Sequence, residues 1–275
     1  MKSQGFNSVT RANGKVIKRA LSDYGKYILK RELGFFEAFP SPYFPRVFSV
    51  FDDGYEMEYI EGVPLWKVEW TPPIQAKVTK ALVEIHSWKS VKVSREYYIK
   101  QILRETVAKI RRRNEQTLPV PVFSKVNGQE VDSFEKVIEK IENYFTNHNR
   151  SEWIFTSIHG DLNFGNILYT GSDIRIIDPR GYFGESVLVG PEEYDMAKII
   201  FSLSGYDHLY NNTVPCETRD DELLYDLPIM SYETSEFTQY MMISIWLASS
   251  LFFNENDDKR LISRHHGLYL ASRLI

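Results

Sequence analysis

The stretch SIHGDLNFGNILYTGSDIRIIDPRG, Ser157 to Gly181, constrains this chain more than any other. Two short apolar runs, Asn166 to Tyr169 and Ile174 to Ile177, flank the turn TGSD and read as a hairpin. A hairpin brings its own outer ends together, so Asn166 and Asp178 are expected side by side at one edge. An amide and a carboxylate so placed suit a hard cation such as Mg²⁺, which takes few protein ligands and completes its shell with water and phosphate. Asp161 lies on the loop leading in and can face the same spot. A carboxylate there can accept a hydroxyl proton as that oxygen attacks phosphorus. A polar hairpin with a satisfied His159 and capping Asp and Asn residues would explain any one of these positions. Four in order, between apolar strands, are better explained by phosphoryl transfer. A zinc hydrolase fits less well, because no second His lies near His159 and Asp161.

The chain around this motif is that of an ordinary globular protein: 275 residues, 43% hydrophobic and 25% charged, long enough for one large domain or two lobes. A net charge of −4 offers no basic excess to follow a phosphate backbone, so nucleic acid is not an expected partner. The basic run KIRRRN, Lys109 to Asn114, reads as a solvated helix end. Cys216 is the single cysteine, which excludes an internal disulfide and fits a reducing cytoplasm, the expected location. No apolar leader opens the chain, and Met241 to Phe253 is too short to span a bilayer and reads as a buried core helix. Oligomeric state is not legible.

The first sixty residues read as strands plus one helix: strands around Asn13-Gly14, a helix over 22–39 stopped by FPSPYFP, then two strands around Asp53-Gly54. After EGVPL the pattern is helical, with stripes after Pro72-Pro73, over 95–113 and over 130–146, and a mostly helical remainder from 190. The division expected is 1–62, a nucleotide-binding lobe and hinge, and 63–275, a catalytic and acceptor-binding lobe. Lys18 in VIKRA stands mid-strand, and Glu32 on the following helix could turn inward to pair with it, with Glu37 a substitute. An edge-strand Lys on the solvent face is the plainer alternative. In EMEYIEG, backbone groups at Glu58 and Ile60 could meet an adenine edge, although a plain linker strand would read the same.

HGDLNFGNIL, IIDPRG, MEYIEGVPL, ALVEIHSW and EEYDMAKII together resemble the aminoglycoside phosphotransferase and choline kinase superfamily, the small-molecule relatives of protein kinases. The resemblance covers roughly residues 5–205. It implies an α+β, bilobal, protein-kinase-like fold, with a small strand-rich N-lobe and a larger, mostly helical C-lobe, binding ATP and Mg²⁺. It puts Asp161 at the catalytic base, Asn166 and Asp178 at the metal, Lys18 and Glu32 at the phosphate clamp, and Asn163 among the nucleotide contacts. His159 is implied to brace the loop, and Asp195 to hold the loop's backbone. His86 is expected to be a satisfied core residue.

The sequence departs from the superfamily in two places. No Gly-rich phosphate loop precedes Lys18, only Gly5 and NSVTR, so backbone N–H groups around Asn7 to Thr10 are left to cover the phosphates. After Asp178 comes Pro179-Arg180-Gly181, a form similar to small-molecule kinases found near bacterial surface-polysaccharide genes. Arg180, a permanent cation, is a candidate acceptor contact and disfavours a quaternary ammonium or polyamine. The expected reaction is ATP- and Mg²⁺-dependent phosphorylation of a hydroxyl on a small, sugar-like or anionic metabolite. The alternatives are a choline, ethanolamine or aminoglycoside kinase, and a kinase-fold binding protein with little activity.

Overall fold

Asn13 and Gly14, both with positive φ (50° and 71°), turn the chain tightly between β1 (Asn7–Ala12) and β2 (Lys15–Ala20), as the dipeptide predicts. The computed structural model describes residues 6–230 and 232–275, so the expected role of Gly5 falls outside the described residues. Ser22 caps α1 (Asp23–Ala38), its Oγ accepting from the Gly25 N–H at 3.1 Å. The chain then returns through β3 (Val47–Phe51) and β4 (Gly54–Glu58). These strands form one antiparallel sheet in the order β1-β2-β4-β3. Lys18 therefore sits on an internal strand, opposite Val9 and Tyr55, which removes the edge-strand reading of it. Asn7 to Thr10 lie within β1, the edge strand, rather than in a loop.

An aromatic cluster fixes α1 against the end of a second helix, α2 (Pro72–Ser87). Phe35 packs edge-on to Phe39 and Phe44, and Phe39 stacks on Trp88 with centroids 4.9 Å apart. Trp88 ends α2, whose stripe Ile74, Val78, Ala81, Leu82 and Ile85 is buried as its spacing predicts. The short β5 (Val63–Pro64) pairs with Ile167–Tyr169, the first strand of the motif hairpin, which pairs in turn with Ile174–Ile176.

The packing forms two compact units, residues 1–91 with 156–195, and residues 92–155 with 196–275. The expected boundary at residue 62 is not where they divide. Hairpin pairing with β5 and the ion pair between Lys18 and Asp178 knit the motif to the N-terminal strands.

The second unit is built on helices that include Arg95–Leu103, Phe134–Asn147, Glu236–Leu247 and Asp257–Leu274 around a core of Ile102, Ile141, Phe145, Met241 and Trp246. Met241 to Trp246 is thus core helix, and among the described residues no helix is long and apolar enough to cross a membrane. The helix expected over 95–113 passes through a π-helical stretch, Arg104–Ala108. The basic run beyond it is less solvated than its composition implies. Lys109 is buried on Glu105 at 2.9 Å, and the Arg113 guanidinium lies 4.6 Å from the Phe252 ring centre. Short strands Lys125–Val126, Gln129–Glu130, Cys216–Arg219 and Glu222–Tyr225, two to four residues each, form a small sheet. Burial, with Asp258 nearby, pushes the Cys216 thiol up to about 11, away from reactive thiolate character.

Candidate active site

The motif begins with a loop whose backbone is tied down from beneath. Asp195, wholly buried in the first turn of the helix Glu192–Leu203, accepts from the His159 N–H at 2.8 Å and the Gly160 N–H at 2.7 Å. His86 Nε2 lies 3.3 Å from the same carboxylate, so this half-buried histidine is a partner of Asp195. The His159 ring, also buried, bonds through Nε2 to the Ile177 carbonyl at 3.0 Å, and its Nδ1 accepts from the Asp161 N–H at 3.2 Å. Those partners define a neutral imidazole with its proton on Nε2. Burial lowers the His159 pKa against the opposing pull of Asp195. His159 thereby joins the loop before Asp161 to the strand end before Asp178.

The hairpin register, Ile167 opposite Ile176, brings its ends together, with the Ile177 N–H donating to the Asn166 carbonyl at 2.9 Å. Asn166 Nδ2 donates to the Asp161 carbonyl at 2.8 Å and reaches Asp161 Oδ2 at 3.4 Å. Its amide nitrogen is thus committed to Asp161, which leaves its oxygen as the atom that could hold a metal. Asn163 anchors the turn that follows. Its Oδ1 accepts from the Gly165 N–H at 3.0 Å and caps the turn Phe164–Asn166, leaving only its amide nitrogen to offer.

Asp178 has φ 58°, a left-handed conformation that aspartate adopts more readily than most side-chain-bearing residues. Its side chain is 37% exposed, and its Oδ1 accepts from Lys18 Nζ at 2.5 Å. The same ammonium bonds Glu32, so three residues far apart in sequence share one ion cluster. Lys18 and Glu32 are 5% and 4% exposed, whereas Glu37 faces solvent. Burial would lower the Lys18 pKa, but Asp178 and Glu32 outweigh it and hold the ammonium charged above its usual range. Burial pushes Glu32 up to about 7, with Lys18 pulling it down and Asp178 adding to the rise.

At the expected hinge, the Glu58 N–H donates to the Arg46 carbonyl at 2.8 Å and the Tyr59 N–H to the Gly14 carbonyl at 3.0 Å. Ile60 is therefore the first hinge N–H not committed to Arg46 or Gly14. The Glu58 carboxylate is held by Arg175 of the hairpin at 2.9 Å. Burial opposes ionisation there, but that hydrogen bond prevails and lowers the Glu58 pKa. Ile60, Leu168 and Ile177 form a buried apolar cluster. Leu168 and Ile177 come from the apolar strands of the motif, so only the pairing of those strands beside the hinge brings them to Ile60.

Arg180 turns back on the loop. Its N–H donates to the His159 carbonyl at 2.8 Å, its Nη1 to the Tyr194 hydroxyl at 3.2 Å, and its guanidinium lies 4.0 Å from the Tyr182 ring centre. Among the described residues no group of three or more His, Cys, Asp or Glu is arranged to hold a metal. One carboxylate and one amide oxygen are a donor set that fits a Mg²⁺ ion keeping most of its shell from phosphate and water.

Solved structures share this fold. Choline kinase from Cryptosporidium parvum Iowa II superposes with a TM-score of 0.54 at 14% identity, over 99% of this chain and 91% of that one. A choline/ethanolamine kinase family protein from Mesorhizobium loti gives 0.55 at 13%, over 98% and 90%. The gentamicin complex of APH(2'')-IIa gives 0.54 at 16%, over 100% and 92%. The fold is protein-kinase-like and α+β, the class used by small-molecule kinases. No curated protein matches the sequence. The Choline/ethanolamine kinase family model matches residues 24–184, and the chain belongs to that family, a small-molecule kinase within the choline kinase and aminoglycoside phosphotransferase superfamily.

Proposed function

We propose that this kinase phosphorylates a hydroxyl group of a small metabolite, with Asp161 as general base and Asn166 and Asp178 as Mg²⁺ ligands. The observation that carries the proposal is Lys18, buried on an internal strand and bonded at once to Glu32 and Asp178. A buried cation joining a helix carboxylate to the carboxylate at a hairpin end has little reason to exist for stability alone. Bound Mg²⁺ and ATP would supply the phosphoryl group and neutralise the charge that develops on it. The chain's own residues then have defined work. Glu32 aims Lys18 at the phosphates, and Asn166 holds Asp161 facing the acceptor hydroxyl. Ile60, Leu168 and Ile177 offer an apolar face to the adenine, with hinge backbone at Glu58 and Ile60 for its edge. Asn163 caps the turn through its Oδ1, and in this reading its amide nitrogen is left for the nucleotide.

For the acceptor we favour a sugar-like or anionic metabolite, in keeping with a role in surface-polysaccharide metabolism. Arg180 supports this as a fixed cation whose backbone is bonded to the loop that carries Asp161. A choline or ethanolamine kinase is the second reading. The family match favours it, and so does the engagement of the Arg180 guanidinium with Tyr182 and Tyr194, which would mute its repulsion of an amine. ADP release is the test, measured with ATP or GTP against neutral polyols, sugar phosphates, choline, ethanolamine and kanamycin-type amines. Turnover of sugars with the amines inert supports the first reading, and the reverse selects the second. Tight Mg·ATP binding without turnover of any acceptor would favour a kinase-fold binding protein.

A further inference from the structure

The outer side of α1 borders a groove that the phosphoryl transfer does not use. Its cavity of about 380 Å³ is lined by Tyr27, Lys30, Arg31 and Gly34 of the helix and by Val187 and Leu188. That volume lies in the range of sites for small organic ligands, in a shallow, half-open groove. Tyr27 and Val187 leave large apolar surfaces exposed, 46% each, beside the two cations. Arg31 Nη2 donates to the Tyr27 hydroxyl at 3.1 Å, which fixes ring and charge together while the guanidinium keeps further donors.

Gly34 is the second observation. It stands inside a helix, where glycine is destabilising relative to alanine. Its φ is unexceptional and nothing lies within 4 Å of where its Cβ would be, so the fold does not require a glycine there. The contrast with Gly25 is direct, since a Cβ at Gly25 would lie 2.1 Å from the Phe6 carbonyl oxygen. The missing side chain at Gly34 instead keeps the groove open.

We propose that this groove binds a small aromatic anion, the ring against Tyr27 and over Gly34 and the charge on Lys30 and Arg31, and that its occupancy is coupled to nucleotide binding. The coupling runs through α1. Glu32, which holds Lys18, follows Arg31 directly, and on the other side Gly181, three residues after Asp178, comes so close that a Cβ on it would lie 3.0 Å from the Arg31 carbonyl oxygen. Binding that restrains α1 is expected to change the affinity for Mg·ATP, and by linkage Mg·ATP then changes the affinity for the ligand by the same factor. The coupling rests on the kinase reading; the binding does not.

The probe is 1-anilinonaphthalene-8-sulfonate, titrated by fluorescence into the full chain with and without saturating Mg·ATP. One saturable site is expected, persisting when nucleotide is saturating, with an affinity changed by Mg·ATP about threefold or more. Gly34→Leu, which fills open space, should weaken the probe by about tenfold or more, as should removal of its charge in N-phenyl-1-naphthylamine. Lys30→Glu should weaken it about threefold or more, and basal turnover of both variants should match the parent. Absence of a saturable site, full displacement by Mg·ATP, unchanged binding to Gly34→Leu, or equal binding of the neutral probe would overturn the site. An identical probe affinity with and without Mg·ATP, in protein that binds Mg·ATP, would overturn the coupling. Protein that binds the probe but no Mg·ATP would instead count against the kinase reading.

Discussion

Asp161 and Asp178 are both carboxylates of one motif, yet their surroundings separate their proposed roles. Asp161 faces an amide nitrogen, whereas Asp178 faces an ammonium. Asp161→Asn preserves shape but cannot take a proton, and should lower turnover by about 10²–10⁴-fold while leaving ATP affinity nearly unchanged. Steady-state rates beside calorimetric ATP titration check this, and retained activity would remove Asp161 as the base. Asp178→Ala should abolish Mg²⁺-dependent ATP binding, because the metal loses its charged ligand; unchanged Mg·ATP affinity would refute the assignment. Glu32 adds a pH dependence. Below about 7 it takes up a proton and loosens its hold on Lys18, which then turns to Asp178 and competes with the metal. Mg·ATP affinity should therefore fall as pH drops from 8 to about 6. Glu32→Gln should be weaker but flat over that range, in calorimetry at each pH. The stability linkage has a definite sign. A folded pKa above the ordinary carboxylate value favours the fold fully at low pH, and that contribution is lost as pH rises through about 7.

The loop and hairpin act as elements because they are clamped at both ends. Gly160 adopts φ 82°, and a Cβ there would lie 3.1 Å from the Arg180 Cβ, so the left-handed turn and the close approach both require glycine. Gly160→Ala should cost about 1–3 kcal/mol and shift the loop that carries Asp161. Asp195→Ala should cost about 2–5 kcal/mol, since it strands two buried N–H groups, and chemical denaturation checks both values. The same glycine leaves no side chain before Asp161 to read a phosphate on the segment after Asp178. That segment is already paired, Tyr182–Phe183 with Ser186–Val187. Protein made without any partner kinase should be fully active, and a large gain on phosphorylating residues 182–190 would contradict this.

For the chain taken whole, ligand binding should appear as stability. ATP at about 100 times its Kd adds about 2.7 kcal/mol, a rise in melting temperature of about 5 °C in a chain of this size. The rise should require Mg²⁺ and vanish in Asp178→Ala, by thermal shift. A rise of equal size without Mg²⁺ would indicate nucleotide binding independent of the proposed metal ligands.

Short-range pattern determined the motif, the order of elements and the chemistry they suggest, because turns, caps and strand alternation are set by neighbours in sequence. Asn13-Gly14, the Pro72-Pro73 helix start and the hairpin that joins Asn166 to Asp178 were all legible in this way. Tertiary packing alone decided that Lys18 lies on an internal strand and that Glu32 rather than Glu37 reaches it. It also decided that Asn163 caps a turn and that His86 meets Asp195. Each of those depends on which residue distant in sequence arrives at a given place, and a buried charge or amide takes its role from that partner. The two compact units escaped the sequence for the same reason, since residues 156–195 pack with a segment whose strands begin far earlier in the chain.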